Sequence, residues 1–387
     1  MTPAEEHDAR LEAVREAMKR LGLSALLLAG PEDIYYLTGV NHAGYFAVTL
    51  LVVPADGPAL LVARAMESAT VALQAPRCMH LPYEDGSDPS GAAIEALSRS
   101  GSAAGRVGVD RSTMYLPLDV WERIRERLPE VRWADASELV AERRMVKTPG
   151  EIAHVRRAAA ISDRALQAGL EAAGPGTTER AVAAAIYAEL IRAGSEYPGV
   201  PPLVRSTPAL ELEHVTWSDR ALEPGDALFV ELSASVARYH APVSRIAHVG
   251  EAPAGLDKVA GHALTAFEAL RGALRAGERA GQVYAAWQRA VDARLGHSRY
   301  ARHHCGYITG IGFPPSWTGS GTPMGLRAGS DLVLREGMVF HVFSWILGQG
   351  PADYGVSDTA LVTGDGCELL TTTAREPIII QSPTGGG

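Results

Sequence analysis

In 229-FVELSASVARYHAPVSR-245 a single carboxylate, Glu231, stands in an apolar run. The stretch reads as two strands around a tight turn. Strand alternation puts Phe229 and Glu231 on one face and Val230 and Leu232 on the other. A glutamate among apolar neighbours has its carboxyl pushed up, which suits a general base or acid. The plainer reading is a salt-bridged or edge-strand glutamate. Tyr239 and His240 open the second arm. Adjacent strand residues face opposite sides, so both enter one pocket only if a bulge intervenes. Pro242 points to such an irregularity or to an edge. Arg245 is placed to pair with a carboxylate.

His214 stands in the polar segment 211-ELEHVTWSDRALEPGD-226, flanked by carboxylates. A loop histidine on a rigid scaffold is an acid-base candidate, against a plain surface histidine. His341 lies in the apolar run 338-MVFHVFSW-345, where a satisfied core histidine is the bland alternative. Asp358 is another lone strand carboxylate, with Ser357 beside it to cap or orient it. In 303-HHCGYITGIGFPPSW-317 the glycines allow close backbone approach and the prolines fix an extended turn. The segment lacks the Gly-Lys-Ser/Thr end of a phosphate loop. His303 and His304, without spaced carboxylates, are weak metal candidates.

The elements that must hold these residues alternate at first. A helical pattern over 5–21 leads to a strand at 25–30, a hairpin over 47–64 with an Asp-Gly turn, a strand at 106–110 and a helix at 118–128. This is an α/β domain over 1–140. From 141 to 387 the pattern is α+β. Two long helices start at Thr-Pro-Gly-Glu and at Thr177 or Thr178. Strands near 201–205 and 226–249 follow, then two helices over 256–295, and then three strands within 338–371.

The chain of 387 residues is 47% hydrophobic and 21% charged, with net charge −9. That is a globular composition for about two domains, and without a basic stripe nucleic acid is not an expected partner. Cys78, Cys305 and Cys367 are too few and too widely spaced for a zinc site or a disulfide framework. Cys305 reads as a buried spectator rather than a nucleophile. The acidic N-terminus carries no signal-peptide pattern, and no apolar run approaches a membrane span. The expectation is a cytoplasmic protein with no membrane partner.

In sequence order, 34-IYYLTGV-40, 143-RRMVKTPGEIAHVRRAA-159, 223-EPGD-226, the Gly-rich segment, 336-EGMVFH-341 and 362-VTGDGCELLT-371 resemble the superfamily of creatinases, Xaa-Pro dipeptidases and methionine aminopeptidases. The resemblance covers almost the whole chain. It implies a creatinase-type N-terminal domain, in which 34–40 is a strand end, followed by a pita-bread domain. Peptidases of this family hold two metal ions with two Asp, one His and two Glu. Those positions fall at Glu231, Pro242, at or next to Tyr307, at Phe343 and at Asp358. Two carboxylates do not make a dinuclear site, because each hard ion needs several oxygen or imidazole ligands. The resemblance therefore points to the metal-free branch, similar to ectoine hydrolases and creatinase, with no cofactor.

That branch implies hydrolysis of a C–N bond in a small nitrogen compound. Glu231 is the base or nucleophile, His214 the proton shuttle, and Tyr239, His240 or His341 a hydrogen-bond donor. Tyr307, Trp317, Phe343, Arg245 and Asp358 would contact substrate. Relatives are commonly homodimers, so the loop 40-VNHAGYF-46 is expected to supply His42 or Tyr45 to the partner's pocket. The segment 314-PPSWTG-319 departs from the Pro-Pro-Asp-Trp-Gly-Glu of ectoine hydrolase-like chains, and Ser357-Asp358 replaces their Ser-Glu. A substrate different from theirs follows. A cyclase, lyase or isomerase, a metallopeptidase, and a binding protein are the competing readings.

Overall fold

The computed structural model describes residues 3–295, 300–319, 324–348 and 350–381. The chain divides into two compact units, one formed by Met1–Arg144 with a short piece at Gly319, the other by Met145–Thr318 and the C-terminal strands.

In chain order the first unit contains α1 (Pro3–Arg20), β1 (Ala25–Leu28), α2 (Pro31–Thr38), β2 (Leu50–Pro54), β3 (Leu60–Arg64), α3 (Ser68–Gln74), β4 (Met79–Tyr83), α4 (Pro89–Arg99), β5 (Arg106–Val109), α5 (Leu118–Arg127), β6 (Arg132–Asp135) and α6 (Glu138–Met145). The six strands form one mixed sheet in the order β4-β3-β2-β1-β5-β6. Apolar side chains of β1, β2 and β5 pack with α4 and α5 in a buried cluster, as a half-buried sheet under amphipathic helices requires. Residues 34–40 are not the end of a strand. Pro31 sits in the first turn of a helix, Glu32 and Asp33 supply its acidic start, and Gly39 ends it at φ 79 with its N–H on the Tyr35 carbonyl. Proline at the start, carboxylates in the first turn and a left-handed glycine after the end favour helix together.

The second unit contains α7 (Pro149–Ala172), α8 (Glu179–Arg192), β7 (Leu203–Ser206), β8 (Ala227–Val236), β9 (Tyr239–Val249), α9 (Leu256–Ala273), α10 (Ala280–Leu295), β10 (Gly306–Ile308), β11 (Val339–Ile346), β12 (Tyr354–Val362), β13 (Cys367–Leu369) and β14 (Ile378–Ile380). Its sheet runs β10-β11-β12-β9-β8-β7, with β13 on β12 and β14 on β9. A Thr148–Glu151 capping box starts α7, and Thr178 caps α8. Helices cover one face of the sheet: Phe340, Val342, Val356 and Ala360 join α9 and α10 in a common core, and Ser162 of α7 bonds the backbone of Ala234 and Ala241. The other face carries the polar residues described next.

No bulge interrupts the hairpin. The β8–β9 register runs unbroken through Ser233 opposite Pro242. On the other side of β9 the ladder to β12 ends at Ser244 opposite Ser357, so Pro242 sits at a local edge where its missing N–H is tolerated.

Candidate active site

Strand register brings the site together. Leu203, Glu231, Ser244, Ser357 and Phe343 stand opposite one another across β7, β8, β9, β12 and β11. Opposite residues share a face, so these five form one row on the helix-free side of the sheet. A parallel row holds Arg205, Phe229 and Ile246, and His341 pairs with Tyr307 and Thr359. A cavity of about 540 Å³ lies over this face, lined among others by Arg205, Glu213, His214, Glu231, Arg302, His303, His304, Tyr307, Ser316, Trp317, Phe343 and Trp345. A larger cavity of about 740 Å³ lies in the first unit against Trp121, Arg125 and Trp133. Its one carboxylate, Asp110, is already held by Ser112 at 2.6 Å, so it offers no acid-base pair.

Glu231 is 5% exposed. Burial pushes its carboxyl up to about 7, Arg205 holds it down in part and Glu213 adds to the rise. A carboxyl with that value exchanges a proton near neutral pH, the condition for efficient general base catalysis. His341 Nε2 lies 3.8 Å from the Glu231 Oε1, too far for a hydrogen bond.

His341 is fully buried, and burial pushes it down to about 3, so the ring is neutral. It stands in a chain of hydrogen bonds. Trp317 Nε1 donates to the Tyr307 hydroxyl at 3.0 Å, and that hydroxyl lies 2.9 Å from His341 Nδ1. His341 Nε2 lies 2.7 Å from the Ser357 hydroxyl, which donates to Ser244 at 2.7 Å. An indole N–H only donates, so the Tyr307 proton goes to Nδ1 and the Nε2 proton goes to Ser357. Burial raises the Tyr307 hydroxyl well above its ordinary value, which keeps it a neutral donor at the cavity wall. His341 acts by orienting Tyr307; the tyrosine lines the cavity.

His214 is exposed and lines the same cavity. Its φ of 58 puts it in the left-handed region, which costs a non-glycine residue about 1–2 kcal/mol. Strain of this kind accumulates at functional sites. Next to it, Glu213 forms an ion pair with Arg302. Burial pushes Glu213 up, but Arg302 outweighs this and holds it below its ordinary value. His303 and His304 also line the cavity with their rings 3.9 Å apart, and burial pushes His304 down to about 4.

Several residues expected at the site stand elsewhere. Tyr239 faces the helix side and donates to Glu151 at 2.5 Å, tying β9 to the start of α7. His240 is buried: its Nε2 accepts the Gly199 N–H at 2.9 Å and its Nδ1 lies 3.3 Å from the Gly310 carbonyl. Both ring nitrogens hold backbone, and neither reaches the cavity. Arg245 and Asp358 also face the helix side, because each is one residue out of step with Ser244 and Ser357. Arg245 Nη2 bonds Asp358 at 3.1 Å, and its other donors go to the Ser244, Ser357, Thr373 and Ala374 carbonyls. Asp358 also accepts from Thr371 at 2.7 Å and Arg375 at 2.5 Å. These two are structural, and Ser357 takes the place on the cavity face that Asp358 was expected to fill. His42 belongs to the first unit, where its Nδ1 accepts the Gly44 N–H at 3.1 Å and lies 3.6 Å from Glu67. Arg205, Glu213, Arg302 and Trp345 line the site without having been singled out, and Ser357, named only as a partner for Asp358, supports it. Their only signal was a polar or aromatic residue at an alternate position of a short strand or beside His214 and His303.

The five side chains at the positions the resemblance gives to metal ligands do not form a ligand set. Pro242 has no donor, Phe343 is apolar, Tyr307 is bound to Trp317 and His341, and Asp358 is turned away into its ion pairs. Among the described residues, no group of three or more His, Cys, Asp or Glu side chains is placed to hold an ion. Cys305 is fully buried in the apolar core, with its thiol pushed up by burial. Among the described residues, no helix is long and apolar enough to cross a membrane.

Residues 153–364 match Metallopeptidase family M24, and residues 10–146 match the Creatinase/Prolidase N-terminal domain. The ectoine hydrolase of Halomonas elongata is 27% identical over 96% of this chain and 96% of its own. An uncharacterized hydrolase/peptidase of Sinorhizobium fredii is 29% identical over 97% of each chain. The crystal structure of dipeptidase PepE from Mycobacterium ulcerans superposes with a TM-score of 0.82 at 25% identity, covering 98% of this chain and 100% of that one. The chain belongs to metallopeptidase family M24, with a creatinase-type N-terminal domain and a pita-bread C-terminal domain, and is a hydrolase of that family.

Proposed function

We propose that this M24 family member hydrolyses a C–N bond in a small amide, amidine or lactam-like metabolite without a metal ion. The observation that carries the reading is Glu231: a buried carboxyl pushed up to about 7, on the wall of a cavity, where by the resemblance the family's peptidases would carry a metal ligand. In the ionised form it takes a proton from water. The resulting hydroxide adds to the carbonyl or amidine carbon, the C–N bond breaks, and the leaving nitrogen takes up a proton. His214, exposed at the cavity, supplies that proton. Tyr307 lines the cavity with its hydroxyl proton held by His341 Nδ1, so it shapes the site rather than donating to the substrate. The ectoine hydrolase relative supports the substrate class.

The peptidase names of other relatives favour a second reading, a metal-dependent dipeptidase. The donor set at Glu231, Pro242, Tyr307, Phe343 and Asp358 speaks against it. One experiment separates the two. Purified full-length protein is screened against small amides, lactams, cyclic amidines and Xaa-Pro dipeptides, with product mass read by mass spectrometry. The proposal expects a gain of one water mass, unchanged rates after exhaustive chelation, and loss of the product in Glu231→Gln. Activity that disappears on chelation and returns with a divalent metal sinks it. A product of unchanged mass points to an isomerase or cyclase instead.

A further inference from the structure

The cavity of about 740 Å³ in the first unit offers no acid-base pair, yet its size is that of a small-molecule site. It lies at the carboxyl end of β5, where Val109 leads into Asp110 and Arg111. β5 runs parallel to both of its neighbours, β1 and β6. Open α/β sheets take their ligands outside the carboxyl ends of such strands. Val107 and Trp133 stand opposite each other on the side of the sheet that packs against α4 and α5. There Trp121 of α5 meets Trp133 edge to face, with ring centres 4.7 Å apart and planes at 73°. Both indoles are half-buried and line the cavity, so they form a corner that a ligand can reach. A flat ring laid on one indole presents its edge to the other, and stacked and edge-on contacts are the arrangements that aromatic rings favour.

The charges at this corner are positive. Arg111 and Arg125 line the same cavity, and both are exposed. The Arg125 guanidinium carbon lies 5.8 Å from the centre of the Trp121 ring. Among the described residues, neither guanidinium has an ion pair within 4.0 Å. Arg123, on the same helix, is different: it pairs with Asp119 at 3.1 Å and with Asp88 at 3.2 Å. The acids close to Arg111 are already engaged. Asp110 accepts the Ser112 N–H at 2.8 Å and its hydroxyl at 2.6 Å, and Asp135 accepts the Ser137 N–H at 3.0 Å and its hydroxyl at 2.6 Å. The lining therefore sets two guanidinium groups against one carboxylate. A guanidinium holds a carboxylate or a phosphate through paired N–H donors and also stacks on aromatic faces. A planar aromatic anion uses both features. An aliphatic acid leaves the indoles unused, and a neutral aromatic leaves the arginines unused.

We propose that this cavity is a second, non-catalytic binding site, for a planar aromatic ring that carries a carboxylate or a phosphate group. The inference does not rest on the hydrolase reading of the other cavity. The test is calorimetry on the full-length protein with two anions, 1-naphthoate and AMP. Their neutral counterparts are 1-naphthamide and adenosine, and their non-aromatic counterparts are cyclohexanecarboxylate and ribose 5-phosphate. At least one anion should bind about tenfold or more tightly than its neutral counterpart, the size expected of a charge-assisted hydrogen bond. It should also bind at least about threefold more tightly than its non-aromatic counterpart. The anion that binds better identifies the group as carboxylate or phosphate. Arg111→Met and Arg125→Met change exposed side chains and should leave the fold intact. Each should weaken binding several-fold, and the double substitution should erase the advantage of the anion over its neutral counterpart. Binding that survives the double substitution lies elsewhere and overturns the assignment. Equal affinity for the anion and its neutral counterpart, equal affinity for the aromatic and non-aromatic anions, or no binding of either aromatic anion at millimolar concentration also overturns it.

Discussion

Glu231 and Asp358 are both buried carboxylates, on strands that flank β9, and they face opposite sides of the same sheet. On the helix side Asp358 is met by Arg245, Arg375 and Thr371. On the cavity side, among the described residues, no Lys, Arg or His nitrogen lies closer to the Glu231 carboxyl than His341 Nε2 at 3.8 Å. Both are at most 5% exposed, so partners decide the outcome. A carboxylate given two guanidinium groups and a hydroxyl is fixed as part of the framework. A carboxylate given none is destabilised in its charged form and ready to exchange a proton. The same contrast separates Arg245, whose donors are all spoken for, from Arg205, whose buried Nη1 has no partner.

Substitutions at the two carboxylates should break in opposite ways. Glu231→Gln should lower hydrolysis of a substrate found by the screen by about 10²–10⁴-fold, the range of general base catalysis, with the fold intact. Residual activity near the wild-type rate would remove Glu231 from the chemistry. Asp358→Ala leaves Arg245 buried without its counter-charge and should cost about 3–5 kcal/mol in urea denaturation. If Glu231→Gln lost as much stability, the distinction between a framework carboxylate and a poised one would collapse.

The pH dependence sharpens the comparison. The folded protein holds the Glu231 proton up to about 7, against an ordinary value of 4.5. Its contribution to stability is full below 4.5 and is lost as pH rises through about 7. Glu231→Gln escapes that loss, so it should match the wild type near pH 4 and exceed it by up to about 3 kcal/mol at pH 8. His341 and His240 work in the other sense. Burial holds both near 3, so their contribution is full above 6.5 and is lost as pH falls towards 3, alike in both proteins. Denaturation curves across pH 4–8 test all three groups. The smallest effect is expected at Ser357. Ser357→Ala takes away the partner of His341 Nε2 and should cost about 1–3 kcal/mol. Slower catalysis beyond that stability loss would show that the orientation of Tyr307 matters.

Much of the frame was legible because its signals are local. Thr178 before a helix, the Asp-Gly hairpin between β2 and β3 and the apolar runs of β8, β11 and β12 each act within a few residues. The helix at 31–38 was misjudged although its start and stop residues were present, because the strand end at 34–40 was taken from the family resemblance alone. Strand alternation correctly placed Tyr239 and His240 on opposite faces. It did not say which face was the cavity, and neither side chain enters it.

The sequence by itself determined that one carboxylate, Glu231, sits where an apolar strand will bury it, which follows from residue type and from a strand period of two. That several metal-ligand positions of the family hold residues unable to ligate is what the resemblance implies. Only the tertiary structure decided which partners that carboxylate meets. Arg205, Ser244, Ser357 and Phe343 come from strands far apart in the chain and are brought level by inter-strand register. A shift of one residue would have turned Asp358 into the cavity and Ser357 out of it. Register is set by the packing of the whole sheet against its helices, so no single segment of the sequence contains it.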